Sequence, residues 1–306
     1  MKSSATITPV HKLAVTQCST EMFYSDVQFL ETSWQRTPSE EIDLPLIDLG
    51  TGDPLVFVPI LEHLEFVYAR QIRTFSTSRR VILYRRHESR TRFVTLSVRA
   101  EELRQVLDSL HITSADFVAH GDAAMVLFEF ALRYPTYCRS LVIVAQGADY
   151  RIAPHPLIWL LHELFLRLPI EHLVPASLLR HIVMRYITHS EPLLYTEDTT
   201  STLTEIPRTL IENQFCKIAR WPALYRYSVL PVIHSFDIRA HLAKLTMPIL
   251  LINRRDDVLS PEAKTAWMAR ILSNCVYHVV PGHGRFFLYS EAERVTPLIE
   301  TFLSTR

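Results

Sequence analysis

Glycine is scarce in this chain of 306 residues. The sequence contains 6 glycines beside 18 prolines, whereas average usage predicts roughly 20 glycines at this length. Because glycine is the residue that adopts positive φ at little steric cost, few turns here can be of the glycine-dependent kind. Each glycine at a predicted turn is therefore informative about the local backbone.

Cysteine is also rare. The four cysteines, at positions 18, 138, 216 and 275, are far apart and form no CxxC pair. This spacing fits free thiols in a reducing compartment better than a disulfide framework. The 14 histidines do not cluster with cysteines or carboxylates at metal-ligand spacing, and the common phosphate, dinucleotide, zinc and calcium motifs are missing. We therefore expect no metal and no cofactor.

An excess of one charge and a long apolar run are both absent. Lys and Arg total 32, as do Asp and Glu, so the chain lacks the electrostatic footprint of a nucleic-acid binder. The most apolar stretch, residues 156–174, is interrupted by His, Glu, Arg and Pro, which excludes a membrane span. The first nine residues lack the apolar core of a signal peptide. We expect a cytoplasmic protein without nucleic-acid partners or a transmembrane segment.

Short apolar runs alternate with helical periodicity through most of the chain. This rhythm predicts an α/β fold with a mostly parallel sheet covered by helices on both faces. Strands are predicted at Val27–Trp34, Leu44–Leu49, Pro54–Pro59, Arg80–Tyr84, Asp116–His120, Leu141–Val144, Pro248–Ile252 and Val276–Val280. Helices are predicted at Glu65–Phe75, Val98–Leu110, Ala123–Arg133, Pro261–Leu272 and Glu291–Leu303.

The alternation stops after Ala145 and resumes near residue 236. The stretch between reads as mostly helical, with eight prolines as punctuation. We predict an N-terminal arm over residues 1–25, an α/β core over 26–147 and 236–306, and a helical cap over 148–235.

One phrase carries a family resemblance. Residues 117–124 read FVAHGDAA, and residues 128–135 read FEFALRYP. Together they resemble the α/β-hydrolase superfamily, whose members typically place Gly-His-Ser-x-Gly-Gly before an Arg-Tyr-Pro phrase. The resemblance extends over about residues 43–303 and implies an α/β-hydrolase fold with a helical cap. It also implies that Gly121 occupies the nucleophile position, where glycine supplies no attacking oxygen, thiol or carboxylate.

The acid and base positions follow from the same resemblance. Asp257, with Asp256 as neighbour, falls at the triad acid, and Asp149 is an alternative acid after the sixth strand. Residues 279–286, VVPGHGRF, resemble the family's Pro-Gly-x-Gly-His-Phe, with Arg285 where the histidine belongs. Because arginine is not deprotonated in proteins, Arg285 cannot be a general base, and a bidentate ion pair with Asp257 is expected. His283 is an alternative base.

Three further features belong to the predicted site. The backbone N–H groups of Leu61 and Asp122 are the expected oxyanion donors. The Asp122 side chain is an alternative carboxylate nucleophile, although a helix N-terminus favours aspartate in any case. A charged cluster over residues 85–90 is interpreted as a solvated loop, with a place at the pocket mouth as the alternative.

The sequence is compatible with three hypotheses for the function. The first is a protein without standard serine-hydrolase catalysis that binds a small apolar molecule, or a protein partner of unknown kind, in a capped pocket. The second is a non-standard hydrolase, lyase or cyclase that uses Asp257, His283, Arg285 or Asp122. The third is a scaffold whose pocket is filled by its own side chains.

Overall fold

The computed structural model describes residues 19–37, 43–149, 156–169, 172–181, 208–255, 257, 259–281 and 285–305. Within these ranges, no helix has the length and apolarity that a membrane crossing requires.

The described residues contain a sheet of eight strands. The strands are β1 (Gln35–Arg36), β2 (Pro45–Leu49), β3 (Pro54–Phe57), β4 (Arg80–Tyr84), β5 (Ala115–His120), β6 (Cys138–Val144), β7 (Ile249–Arg254) and β8 (Cys275–Val280). Their order is β1-β2-β4-β3-β5-β6-β7-β8. β2 pairs antiparallel with β1 and β4, and the pairs from β4 to β8 are parallel. The predicted mostly parallel sheet is confirmed.

Helices cover both faces of the sheet. The first four are α1 (Thr20–Ser33), α2 (Ala69–Phe75), α3 (Leu96–Ser109) and α4 (Asp122–Arg133). Later helices span Pro156–Arg167, Arg208–Cys216, Trp221–Leu224, Leu230–Ser235, Glu262–Ile271, Phe287–Ser290 and Ala292–Ser304. Short 3₁₀ helices span Glu65–Tyr68, Pro135–Tyr137 and Arg239–Lys244, and a π-helical turn spans Tyr225–Val229. Two apolar clusters form the core: one includes side chains of α1 and α2, the other side chains of α3 and α4.

The strand predicted over Val27–Trp34 is wrong, because these residues lie almost entirely in α1. The helix begins after Ser19, whose hydroxyl accepts a hydrogen bond from the backbone N–H of Met22, as an N-cap residue does. Phe23 and Leu30 are buried on one face of this helix, seven residues apart and thus two turns along the same face. The aromatic and β-branched residues of this segment favoured a strand, but packing of this face against the core decides for a helix.

The stretch predicted as a cap is mostly helical where the structure describes it. Residues 150–155, 170–171 and 182–207 lie outside the described residues, so a cap over 148–235 stays a prediction. Four described aromatic side chains from this stretch belong to the same apolar cluster as α1 and α2: Phe165, Phe215, Trp221 and Tyr225. This part of the chain therefore packs directly on the α/β core.

The parallel strands place three connections side by side. His120 at the end of β5 is paired with Val144 of β6, which is paired with Ile252 of β7. The turns after these strands therefore meet at the carboxyl edge of the sheet, which is where open α/β sheets bind ligands.

Candidate active site

Gly121 forms a sharp turn between β5 and α4. Its backbone has φ 59° and ψ −125°, a conformation that costs an ordinary residue strain and persists where the surroundings impose it. Its N–H donates to the carbonyl oxygen of Val144 at 2.9 Å. Ala119 and Ala123, on either side of the turn, are fully buried, so only small side chains flank it. The predicted tight turn at Gly121 is therefore present.

Arg285 lies directly opposite this turn. A Cβ atom placed on Gly121 would lie 3.5 Å from Nη2 of Arg285, and no other described residue beyond the chain neighbours has an atom within 4 Å of that point. The guanidinium is 7% exposed. A side chain at position 121 would therefore project towards a cation.

Asp257 holds this cation. Arg285 Nη1 donates to both carboxylate oxygens of Asp257, at 2.8 and 3.0 Å, and Nη2 donates to the carbonyl oxygen of Ala145 at 2.7 Å. The expected ion pair is therefore present and contains two hydrogen bonds, both donated by one nitrogen. The second nitrogen is diverted because Ala145, at φ 56°, turns its carbonyl into the site.

Asp257 is itself fixed by the backbone. Its Oδ1 accepts hydrogen bonds from the N–H groups of Leu259 and Ser260, at 2.9 and 3.1 Å. The residue is 4% exposed, and a buried charge needs such partners. The acid predicted at position 257 therefore faces the arginine predicted at position 285.

His120 supports the Arg285 backbone. Its ring Nε2–H donates to the carbonyl oxygen of Arg285 at 2.6 Å, and its own N–H donates to the hydroxyl of Tyr68 at 3.0 Å. Burial, together with the nearby Arg285 charge, lowers the pKa of His120 to about 4. The imidazole is therefore neutral at physiological pH and has weak basicity.

The Asp122 side chain is directed to a different partner. Its Oδ2 accepts a hydrogen bond from Nη1 of Arg86 at 3.1 Å, while Nε of Arg86 donates to Glu88 at 2.6 Å. Arg99 binds the second oxygen of Glu88 at 2.7 Å. Burial opposes ionisation of Glu88, but Arg86 and Arg99 outweigh it and lower its pKa to about 2.

This network corrects the interpretation of residues 85–90 as a solvated loop. The side chains of Arg86 and Glu88 are only 2% and 4% exposed. The oppositely charged side chains form ion pairs inside the protein. The charge pattern of the sequence alone does not distinguish such buried pairs from a solvent-exposed loop. The paired Asp122 carboxylate lies against Arg86, which speaks against its use as a free nucleophile.

The remaining predicted site residues fall in different places. Asp149 pairs with Lys264 at 3.2 Å, whereas Asp257 is the carboxylate that pairs with Arg285. Leu61 is buried in the connection after β3, and its role as an oxyanion donor stays a prediction. Asp256 and His283 lie outside the described residues.

Two residues of the site, Ala145 and His120, were not among the sequence candidates. Arg86 belongs to the charged cluster over residues 85–90, for which a place at the pocket mouth was the alternative interpretation. The structure also has no group of three or more metal-ligating side chains among the residues it describes.

A small cavity lies away from Gly121, beside α1. It has about 10 Å³ in which a water-sized sphere can be centred, and it is lined by Trp34, His63, Glu65 and Gln214 among others. That volume is close to what one water needs. The cavity is too small for an organic substrate.

The chain is similar in sequence to several known proteins. No family model matches the chain. RutD of Pseudomonas syringae, whose name describes a carbamate hydrolase, is 26% identical over 207 residues, 68% of this chain and 74% of that protein. The strigolactone esterase RMS3 of Pisum sativum is 25% identical over 229 residues, 72% of this chain and 80% of the other.

A solved structure shows the same arrangement of elements. The enol-lactonase of Burkholderia xenovorans LB400 superposes with a TM-score of 0.68 at 15% identity, covering 88% of this chain and 100% of that one. At this level of identity the likeness concerns the fold.

Proposed function

We propose that this chain, a member of the α/β-hydrolase superfamily, has lost serine-hydrolase catalysis and binds a small, mostly apolar molecule or a protein partner at the same site. The observation that carries the proposal is the arrangement of Gly121, Arg285 and Asp257. The tight turn is kept, but it presents no side chain, and the residue facing it is a permanent cation.

This arrangement lacks the nucleophile and the base that serine-hydrolase chemistry needs. Acyl transfer needs a nucleophile activated by a base within hydrogen-bond reach. Gly121 has no side chain, and the Arg285 guanidinium does not accept a proton at any physiological pH. The neighbouring imidazole of His120, with a pKa of about 4, is a poor base at neutral pH.

Binding rests on the apolar surroundings of the site. Leu61, Phe286 and Phe165 belong to one apolar cluster that reaches from the connection after β3 to the helices after β6. A molecule held above Gly121 and below these helices would contact apolar side chains. The similar proteins are named for a carbamate, a strigolactone and an enol-lactone, which are small organic compounds.

Labelling with a fluorophosphonate probe tests the loss of catalysis. The purified chain is expected to remain unlabelled under conditions in which a serine esterase of the same fold is labelled stoichiometrically. Intact-protein mass spectrometry detects the adduct, and peptide mapping locates it. Stoichiometric labelling at any residue of the site would overturn the proposal.

A non-standard enzyme is the second candidate, and the guanidinium close to Gly121 is the observation that favours it. A fixed cation in a buried site can stabilise negative charge that develops on a substrate. Turnover of an ester or lactone that disappears in both Asp257→Ala and Arg285→Ala, with the fold intact by circular dichroism, would support this candidate. Absence of turnover of esters and lactones supports the first candidate, a protein that binds its ligand without converting it.

A further inference from the structure

We propose that the ligand of this site is a small carboxylate with an apolar body, whose anionic oxygen binds Arg285 in the space left by the missing side chain of Gly121. This inference rests on the proposed function and adds the chemical class of the ligand. It differs from hydrolase chemistry in that the bound group is a stable anion rather than an ester under attack.

The first argument is the room above Gly121. Where a Cβ atom would sit, Nη2 of Arg285 at 3.5 Å is the single neighbour that the described residues place within 4 Å, apart from the residues adjoining the glycine. An oxygen atom brought slightly closer than that Cβ would be at hydrogen-bond distance from Nη2. A carbon at that point is in ordinary van der Waals contact with Nη2, and the same space admits an oxygen a few tenths of an ångström closer.

The second argument is the unused donor capacity of Arg285. Its Nη2 carries two N–H groups, and among the described residues one of them has an acceptor, the Ala145 carbonyl. The residue is more than nine-tenths buried, so an N–H left without an acceptor is costly there. A ligand oxygen at the Gly121 turn would satisfy it.

The third argument is the local balance of charge. Asp257 neutralises Arg285 in formal terms, but Oδ1 of that carboxylate also accepts two backbone N–H groups. These donors stabilise the carboxylate where it is, against Nη1 of Arg285. A ligand anion at the Gly121 turn would bind Nη2, the nitrogen that Asp257 does not contact.

The fourth argument is the start of α4. This helix has 12 residues, and its N-terminal N–H groups, that of Asp122 first, lie beside the turn, where a helix favours negative charge. The Asp122 carboxylate does not block this position, because Arg86 holds it at 3.1 Å. The Asp122 side chain is 25% exposed, so solvent reaches the start of α4.

Matched acid and amide pairs test the class of ligand. The probes are butanoate, hexanoate, octanoate and benzoate, each with its primary amide, measured on the full chain at pH 7 by saturation-transfer NMR and calorimetry. An amide has the shape of the acid without its charge. At least one acid is expected to bind saturably, and its amide to bind at least about tenfold more weakly, since ionic hydrogen bonds to a guanidinium are the stronger ones.

Two variants localise the binding. Gly121→Ala places a methyl group where the carboxylate oxygen is proposed to sit and leaves the ion pair intact, so acid binding is expected to fall at least about tenfold. The double variant Asp257→Asn with Arg285→Gln removes both charges together and avoids an unpaired buried ion. It is expected to bind acid and amide alike. Arg104→Gln, on an ion pair of α3 far along the chain from the site, is the control and is expected to bind like the parent.

The outcomes separate this inference from the proposed function. If no acid of the panel binds, if the amides bind as tightly as the acids, or if Gly121→Ala binds the acid unchanged, the carboxylate inference is wrong. None of these results affects the loss of catalysis. Fluorophosphonate labelling at the site, in contrast, removes the proposed function whatever the acids do.

Discussion

Nη2 of Arg285 lies 3.5 Å from the point where Gly121 would carry a Cβ atom. In a serine hydrolase this line joins the hydroxyl of the nucleophile to the imidazole that accepts its proton. Here the first group is absent and the second is a cation fixed by Asp257 and Ala145. Neither residue can take part in such a proton transfer, because glycine has no hydroxyl and arginine accepts no proton.

Restoring the hydroxyl alone is expected to leave the protein inactive. Gly121→Ser would place its oxygen near Arg285, which accepts no proton, so hydrolysis of p-nitrophenyl acetate should not exceed that of the parent. The double variant Gly121→Ser with Arg285→His supplies the missing acceptor and is the comparison. Ester cleavage by Gly121→Ser that disappears when the introduced serine is replaced again would contradict the assignment of Arg285 as a residue that accepts no proton.

The Arg285–Asp257 pair is expected to be strongly coupled in stability. Either single change, Arg285→Gln or Asp257→Asn, leaves one buried charge unpaired and should cost about 3–5 kcal/mol. The double variant should cost clearly less than the sum, because it leaves no isolated ion. Urea unfolding of all four proteins gives the coupling energy, and additive losses would show that the two charges do not interact.

Stability is expected to fall as the solution is acidified below about pH 6.5. Burial lowers the pKa of His120 from 6.5 to about 4. Between these two pH values the imidazole is protonated in the unfolded chain and neutral in the folded chain. Neutral His120 contributes its full stability above pH 6.5, and this contribution is lost as the pH falls towards 4. At about 1.4 kcal/mol for each pH unit, the loss in unfolding free energy is about 3 kcal/mol.

His120→Gln isolates this contribution. The pKa of His63 is also lowered, by burial first and then by Arg85, so the parent curve contains more than one group. The variant keeps an amide donor for the Arg285 carbonyl but has no titrating ring. Its unfolding free energy should vary less with pH over this window than that of the parent, and an unchanged slope would show that His120 does not titrate as stated.

Removing charge from Glu88 is expected to cost far more than removing it from Glu101. Glu88 is buried between Arg86 and Arg99, and Glu88→Gln should destabilise the fold by about 3 kcal/mol or more. Glu101 also pairs with an arginine, Arg104, at 2.5 Å, but its side chain is 38% exposed. There solvent screens the attraction, and Glu101→Gln should cost less than about 1 kcal/mol. Equal costs by urea unfolding would contradict the buried network.

Two glycines are expected to respond differently to alanine. A Cβ on Gly50, at φ 80°, would lie 2.3 Å from the carbonyl oxygens of both Ser76 and Arg79, whereas a Cβ on Gly147 would first meet Thr265 at 4.0 Å. Gly50→Ala should therefore destabilise the protein by well over about 1 kcal/mol, and Gly147→Ala by much less. Thermal unfolding of the two variants side by side decides the point.

The main elements of the core could be predicted because their pattern is local. Arg80–Tyr84 is a strand with the predicted bounds, and the strand before Gly121 and the helix after it differ by one residue at one end. Apolar runs bounded by turns and helical spacing of apolar residues are properties of neighbouring positions. The segment 27–34 failed because its residue types suit either structure, and contacts of Phe23 and Leu30 with distant residues chose the helix.

The sequence by itself determined the fold class and the chemical groups available at positions 121 and 285. A glycine at position 121 has no nucleophile, and an arginine at position 285 has no free base, in any conformation. Only the tertiary structure decided which groups meet: that Arg285 binds Asp257 and the Ala145 carbonyl, and that Asp122 turns to Arg86. These contacts join residues up to 140 positions apart, and such pairings are set by how strands and helices pack, which no local pattern encodes.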